Sequence, residues 1–380
     1  MVAIALDGVT VRYPGEQGAQ PYALDELSLE VASGEMLVLA GPSGSGKTTV
    51  LRTIAGLEHP ERGTVWIGGR VANQLPPGAR DVALVSQNES LFPHLNIEQN
   101  LGFALEVRKL SPEETARRVR AEARVLGLWS RLRRRPRQLS SGERQKAALG
   151  RATTRRPAVY LLDEPLAGLD PGERDRLRRE LQQTQRGMGV TTVYVTHDQR
   201  DAMALGCRIA VLDRGRLVQV ADALEIYERP ANLFVARFFG TPPMGLLQGR
   251  LHDDGSTAWV DVAGTPVRLL ADQRAAVLAA GRPAAVALGF RAPAVALARG
   301  SAHPWSRDLD MVVRGVEPLG SATIVALTPA AEHARGTDPL YTLVTPTRRV
   351  VRGECQAVSV DMRHALIFDH PDGARLHPRS

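Results

Sequence analysis

The sequence predicts an α/β domain followed by an all-β domain, and three observations predict it. Short apolar runs alternate with helical stretches up to about residue 240. A glycine-rich loop joins the apolar run Met36-Leu37-Val38-Leu39-Ala40 to a helical stretch from Thr49 to Ala55. Beyond residue 240, short alternating segments recur between Gly, Pro and Asp clusters. The expected domains are 1–240, with a helical subdomain at about 88–156, and 241–380. A chain of 380 residues exceeds one comfortable core, which agrees with that division.

Composition narrows the class. No apolar stretch reaches the roughly 20 residues that cross a bilayer. The Ala-rich region 274–299 comes nearest, and Arg282, Pro283, Arg291 and Pro293 interrupt it. The N-terminus has no basic region before its apolar residues, so it does not read as a signal peptide. Cys207 and Cys355 stand far apart in the chain and form no framework, which fits a reducing cytosol. The formal charge is +7 and comes from arginine, because Lys47, Lys109 and Lys146 are the only lysines. The arginines are spread, as on ordinary solvated faces. One dense run, Arg131, Arg133, Arg134, Arg135 and Arg137, leaves contact with an anionic surface open.

Along the chain, Ala3–Leu6 and Gly8–Tyr13 read as paired strands, 14–22 as a polar loop and Leu27–Val31 as a strand. Val82–Val85 is a further short strand. Residues 96–156 read as helical. There Ser111-Pro112-Glu113-Glu114 is a start signal, with Ser as N-cap and Pro at the first helical position. Val159–Leu162 and Thr192–Val195 suit parallel strands buried on both faces. Asp222–Glu225 starts a short helix, and 232–239 continues helically to Gly240. After the break Gly240-Thr241-Pro242-Pro243-Met244-Gly245, strands are expected over 257–262, 266–270, 284–290, 311–316, 323–327, 340–345 and 365–368. Such spacing marks a small barrel or sandwich.

The chemistry begins at Gly41-Pro42-Ser43-Gly44-Ser45-Gly46-Lys47-Thr48, which fits the phosphate-binding loop G-x-x-x-x-G-K-[ST]. Glycines let the backbone turn its N–H groups toward one anion, and the following helix, opening near Thr49, adds partial positive charge. Lys47 would reach the β- and γ-phosphates, and the Thr48 hydroxyl would ligate Mg2+. The strand Val159–Leu162 then delivers two carboxylates at its carboxyl end. Asp163 would hold Mg2+ through its shell, and Glu164 would polarise the attacking water as general base.

Leu139-Ser140-Ser141-Gly142-Glu143 opens a helix, and with it the chain resembles an ABC transporter ATPase, whose signature reads L-S-G-G-Q. Gln87 matches that family's Q-loop, Ala167-Gly168-Leu169-Asp170 its D-loop and His197 its H-loop. The resemblance implies an ABC-type fold and a homodimer that sandwiches two ATP molecules with Mg2+. Each ATP would sit on one subunit's loop, Gly41 to Thr49, capped by Ser140, Ser141 and Gly142 of the other. Gln87 would touch Mg2+ or the water and couple to membrane subunits. His197 would steady the γ-phosphate and Glu164, Asp170 would link the two sites, and Tyr13 resembles the aromatic that stacks on adenine.

The tail refines the resemblance. Phe239-Gly240-Thr241-Pro242-Pro243-Met244 resembles the G-S-P-P-M-N junction of carbohydrate importer ATPases of the maltose and glycerol-phosphate type. Val316–Ser321 and Phe368-Asp369 resemble their C-terminal regulatory domain, an oligonucleotide/oligosaccharide-binding-like barrel. This implies the ATP-hydrolysing energy subunit of a bacterial importer, on the cytoplasmic face of the membrane. Two integral membrane subunits would dock near Gln87 and Leu91-Phe92-Pro93-His94-Leu95. An extracytoplasmic binding protein would select the cargo, and a regulatory protein is a candidate partner of the C-terminal domain. Importers of sulfate, iron, molybdate or polyamine carry similar tails. A soluble ATPase acting on nucleic acid is the rival class. Trp259, Phe290, Trp305, Tyr341 and Phe368 are too dispersed for a base-stacking platform, so nucleic acid is not an expected partner.

Three departures stand out. Ser141 replaces glycine and Glu143 replaces glutamine in the signature. A carboxylate there would repel triphosphate unless Arg144 or solvent offsets it, and slower turnover is expected. Arg200-Asp201 replaces the usual Val-Glu after the histidine. Gly289-Phe290-Arg291-Ala292-Pro293 stands where relatives have G-x-R-P-E, which puts a ligand or regulator contact there in doubt.

Overall fold

A computed structural model describes residues 2–13, 22–85, 91–298, 305–330, 338–370 and 373–376. Gln87, Asn88 and most of the polar loop expected at 14–22 lie outside these residues. The chain divides into two compact units, Met1–Ala223 and Leu224–Ser380.

The first unit holds two sheets. Strands β1 (Val2–Val11), β2 (Leu24–Ala32), β3 (Met36–Ala40), β4 (Arg62–Ile67), β5 (Arg70–Val71) and β6 (Val82–Val85) come first. Later come β7 (Val159–Asp163), β8 (Thr191–Thr196), β9 (Arg208–Asp213) and β10 (Arg216–Ala221). An antiparallel sheet runs β2-β1-β4-β5, and a six-stranded sheet runs β10-β9-β3-β8-β7-β6. In the larger sheet β3 lies parallel to both β8 and β9, and β7 parallel to both β6 and β8. Every residue of β3, β7 and β8 is buried, as continuous apolar runs require of strands covered on both faces. Each buried Val or Leu contributes about 1.5–3 kcal/mol.

The expected pair of strands at the N-terminus is one strand. Its register shifts between Leu6 and Val9, where Gly8 sits at φ +59°. The extra residue forms a bulge and resets the alternation, so Ile4, Leu6, Val9 and Val11 all face the core.

Helix α1 (Lys47–Ala55) follows β3 directly across the glycine loop. Helices α2 (Ile97–Val107), α3 (Pro112–Val125) and α4 (Ser141–Thr153) form a separate layer around Ile97, Leu101, Val119, Leu126 and Ala147. Ser111 caps α3 as its sequence predicts, accepting from Glu114 N–H at 3.2 Å. Helices α5 (Pro171–Met188) and α6 (Gln199–Leu205) flank β8 in sequence. Among the described residues no helix is long and apolar enough to cross a membrane.

The second unit opens with the short helices α7 (Ala223–Glu228) and α8 (Leu233–Phe238). It thus starts ahead of the boundary expected at 240, because Ala236 of α8 buries against Met244, Leu246, Ala287 and Phe368. Two five-stranded antiparallel sheets follow. One is built from 245–253, 258–262, 265–268, 285–290 and 366–369, the other from 295–296, 306–318, 323–329, 340–344 and 355–361. They share one core that includes Leu247, Val260, Leu288, Val313, Leu327 and Val358.

Strands 245–253, 295–296 and 355–361 and helix α9 (Ala271–Ala279) escaped the sequence reading. Gly245 and Gly249 blur the alternation of 245–253. At Gly249 a Cβ would lie 2.1 Å from the Asp261 carbonyl oxygen, so close packing of the neighbouring strand demands glycine.

Candidate phosphate-binding site

The site is built where β3, β7 and β8 end. Between β3 and α1 the backbone folds over so tightly that a Cβ on Gly41 would lie 2.3 Å from the Leu212 carbonyl oxygen. Gly46 caps α1 in the left-handed conformation at φ +100°, and a Cβ there would lie 2.6 Å from the Ala23 carbonyl oxygen. Both glycines are fixed by space as well as by dihedral angle. Ser45 is buried and closes the loop through its N–H to the Pro42 carbonyl at 3.2 Å.

Lys47 is 5% exposed. Its ammonium donates to the carbonyls of Gly41 at 2.9 Å and Pro42 at 2.7 Å. Burial lowers its pKa, while Glu164 and Asp163 pull it back up. A cation held this way, beside the start of a helix, suits a polyphosphate.

Across the loop, Thr48 donates its hydroxyl to Asp163 Oδ1 at 3.2 Å. Burial raises the Asp163 pKa, the Thr48 hydrogen bond lowers it and Glu164 raises it. A hydroxyl and a carboxylate side by side are the hard oxygen donors that Mg2+ takes together with substrate phosphate. The donor set therefore fits that ion.

Glu164 follows β7 and sits at φ +48°, an uncommon conformation for a residue with a side chain. Its N–H donates to the Val195 carbonyl on β8 at 3.1 Å, which locks the turn onto the sheet. Its Oε1 meets His197 Nδ1 at 2.7 Å. Tyr13 reaches Thr49 Oγ1 through its hydroxyl at 3.2 Å.

Part of this set lines a cleft of about 500 Å3, with Asp163, Gly41, Pro42 and Ser45 outside its lining. It is lined by Tyr13, Tyr22, Ala23, Ser43, Gly44, Gly46, Lys47, Thr48, Thr49, Glu164 and His197. Tyr22 and Ala23 are additions to the sequence reading. Tyr22 lies at the end of the polar loop, and its one local signal is Arg12, whose guanidinium stacks 4.6 Å from its ring.

The remaining expected site residues lie elsewhere. Ser140, Ser141, Gly142 and Asp170 are not among the described residues lining the cleft. Ser140 is the N-cap of α4, with Glu143 completing a capping box. Ser141 is exposed, whereas Gly142 is buried and a Cβ there would run into the flexible carboxylate of Glu173. Asp170 caps α5, its Oδ1 accepting from Glu173 N–H at 3.0 Å.

Behind the site, two networks hold these pieces. Arg80 is buried and donates to the Thr53 carbonyl at 2.8 Å, the Ile54 carbonyl at 3.0 Å and the Leu75 carbonyl at 2.9 Å. It supplies a cation at the C-terminal end of α1. Asp201, which replaces the expected Glu, is 1% exposed and accepts from Arg174 at 2.7 and 3.1 Å and from Arg178 at 3.3 Å. Arg174 also pairs with Asp198 at 3.0 Å, so the start of α5 is bound to the start of α6.

A second cleft of about 390 Å3 lies on the same unit. It is lined in part by Leu84, Val85, Phe92, Phe103, Val107 and Arg151. Phe92 packs on Phe103 with ring centroids 4.6 Å apart, and Arg151 stacks over Phe92 at 4.9 Å. Asn100 pins the segment by accepting from Phe92 N–H at 2.7 Å.

In the second unit Arg291 is committed to structure. Its guanidinium donates to the carbonyls of Ala236 at 2.8 Å, Tyr227 at 3.0 Å and Phe239, and stacks 4.2 Å from the Tyr227 ring. Burial pushes its pKa down to about 10.

Residues 24–167 match the family model described as ABC transporter. The chain is 49% identical over 257 residues to the trehalose/maltose import ATP-binding protein MalK of Thermococcus litoralis, covering 66% of this chain and 68% of that one. It is 40% identical over 378 residues to the sn-glycerol-3-phosphate import ATP-binding protein UgpC of Burkholderia pseudomallei, covering 99% of each. Among solved structures, the dimeric post-hydrolysis state of the ATP-binding cassette MJ0796 bound to ADP and Pi aligns at TM-score 0.53 and 30% identity. That match covers 58% of this chain and 98% of that one.

Proposed function

The chain belongs to the ATP-binding proteins of ABC transporters, and from that premise we propose that it is the ATP-hydrolysing energy subunit of an importer for a sugar or sugar derivative. The observation that carries the ATPase reading is the Glu164–His197 pair, held at 2.7 Å on the rim of the phosphate-loop cleft. Lys47 would release its own loop carbonyls and take the β- and γ-phosphates. Thr48 and Asp163 would hold Mg2+, which would neutralise phosphate charge, with Gln87 as a further ligand. Glu164 would accept a proton from the attacking water, and His197 would keep its carboxylate aimed. The Tyr13 ring, fixed by Thr49, would stack on adenine.

The reading requires two copies. The Ser140 hydroxyl oxygen already accepts from the Glu143 N–H. Its hydrogen remains available to a phosphate presented by another subunit. Ser141 and Gly142 would complete that cap, and Asp170 would connect the two sites. The apolar cleft beside Phe92, Phe103 and Val107 suits a segment of a membrane subunit, one for each copy. The second unit would carry regulation, with a regulatory protein as partner. Cargo selection is left to a binding protein outside the membrane. The relatives named for trehalose/maltose and for sn-glycerol-3-phosphate support a sugar or sugar derivative over sulfate, iron, molybdate or polyamine.

Glu164→Gln tests the chemistry. The variant is expected to bind ATP, to lose turnover by at least 100-fold and to accumulate as an ATP-bound dimer. Turnover equal to wild type would remove Glu164 from the role of base. Affinity purification from the native membranes tests the rest, with two integral membrane proteins as the expected companions. Recovery in the soluble fraction alone would overturn the transport assignment.

A further inference from the structure

Glu143 occupies a signature position beside the start of α4, where a negative charge opposes the attraction of a helix N-terminus for phosphate. A full charge outweighs the roughly half-charge of the helix end. The carboxylate is not left alone. Its Oε1 accepts from Arg131 Nε at 2.7 Å, and its Oε2 accepts from Ser140 N–H at 3.0 Å. Arg134 adds positive charge nearby. Arg144, the neighbour that the sequence offered as counter-charge, donates to the Leu139 carbonyl at 3.0 Å. The compensating arginine thus comes from the dense run 131–137, twelve residues earlier.

We infer that Arg131 is the positioning and charge-compensating partner of Glu143, enabling a signature with glutamate to receive the terminal phosphate of a nucleotide held by a second copy. This rests on the two-copy reading above. Two consequences of the geometry support it. The arginine cancels the charge that would repel phosphate. It also fixes the carboxylate that accepts from the Ser140 backbone N–H, so the first turn of α4 that carries Ser140 is held in place. The Arg131 guanidinium and the Arg134 charge together lower the Glu143 pKa, so the group stays ionised and the need for a counter-charge persists. Both partners are part-exposed, with side chains 35% and 28% accessible. Such a pair adds little to folding stability, so its removal is expected to act on nucleotide capture rather than on the fold.

The test is a double-mutant cycle on the full chain with Arg131→Ala, Glu143→Gln and both together. Steady-state ATP turnover of each with Glu164 intact, and ATP-driven dimerisation of each in a Glu164→Gln background, are the readouts. R131A is expected to raise the half-saturating ATP concentration about five- to tenfold, with a thermal midpoint close to wild type. The double variant is expected to return to the value of E143Q alone, whatever that value is, because no carboxylate remains to neutralise. R131A indistinguishable from wild type would overturn the inference, as would a double variant as weak as R131A, which would mark Arg131 as merely structural. If E164Q itself fails to dimerise with ATP, the two-copy reading falls and this inference with it. If E164Q dimerises while R131A is unaffected, only the role of Arg131 falls.

Discussion

Replacing Asp201 with alanine is expected to weaken the first unit by about 3 kcal/mol. The side chain is 1% exposed and accepts from both Arg174 and Arg178. Breaking a buried ion pair by removing one partner costs about 3–5 kcal/mol. The lower end applies, because Arg174 keeps Asp198 at 3.0 Å and Arg178 keeps Asp175 at 2.9 Å. Tyr194 is fully buried and donates to Asp201 at 3.4 Å, so its hydroxyl loses a weak partner as well. Urea denaturation followed by hydrogen exchange at the amides of β7 and β8 reads this unit separately from the second. Asp201→Asn should fall between wild type and Ala, and Tyr194→Phe should cost about 1 kcal/mol or less. Because Arg174 joins the turn after Asp170 to the turn after His197, ATP turnover should fall as well. A loss below about 1 kcal/mol for Asp201→Ala would refute the claim that this network holds the two helix starts together.

Other outcomes follow from the same structure. Arg80→Met should destabilise the first unit by about 2–4 kcal/mol, since it strands buried carbonyls at the end of α1; thermal denaturation checks this. Glu122 is half-buried beside Thr153, and desolvation raises its pKa from 4.5 despite that hydrogen bond. A raised carboxyl pKa favours the protonated form in the fold, so its stabilising share is present below pH 4.5 and is lost as pH climbs through the folded value. Glu122→Gln should therefore stabilise the protein at pH 7 and change little at pH 4, as paired denaturation curves would show.

The parts legible in sequence are those set by local chemistry. The phosphate loop between Ala40 and Thr48, the cap at Ser111 and the buried strands Val159–Asp163 and Thr191–Thr196 each carry their cause within a few residues. Alternation also announced most strands after 240, but not 245–253, where Gly245 and Gly249 interrupt it, nor 295–296 and 355–361. What remained hidden depends on residues far apart in the chain. The single bulged strand at the N-terminus follows from pairing with one partner on each side.

The sequence by itself determined the residue types proposed to meet phosphate, because a glycine loop, a lysine and adjacent carboxylates are specified by short spacing. Only the tertiary structure decided which charges answer one another. Arg131 answers Glu143, Arg174 answers Asp201, Arg80 closes α1, and Arg291 is spent on the carbonyls of Tyr227 and Ala236. A guanidinium can reach any acceptor within several ångströms, so its partner is chosen by how the elements pack and not by its place in the chain.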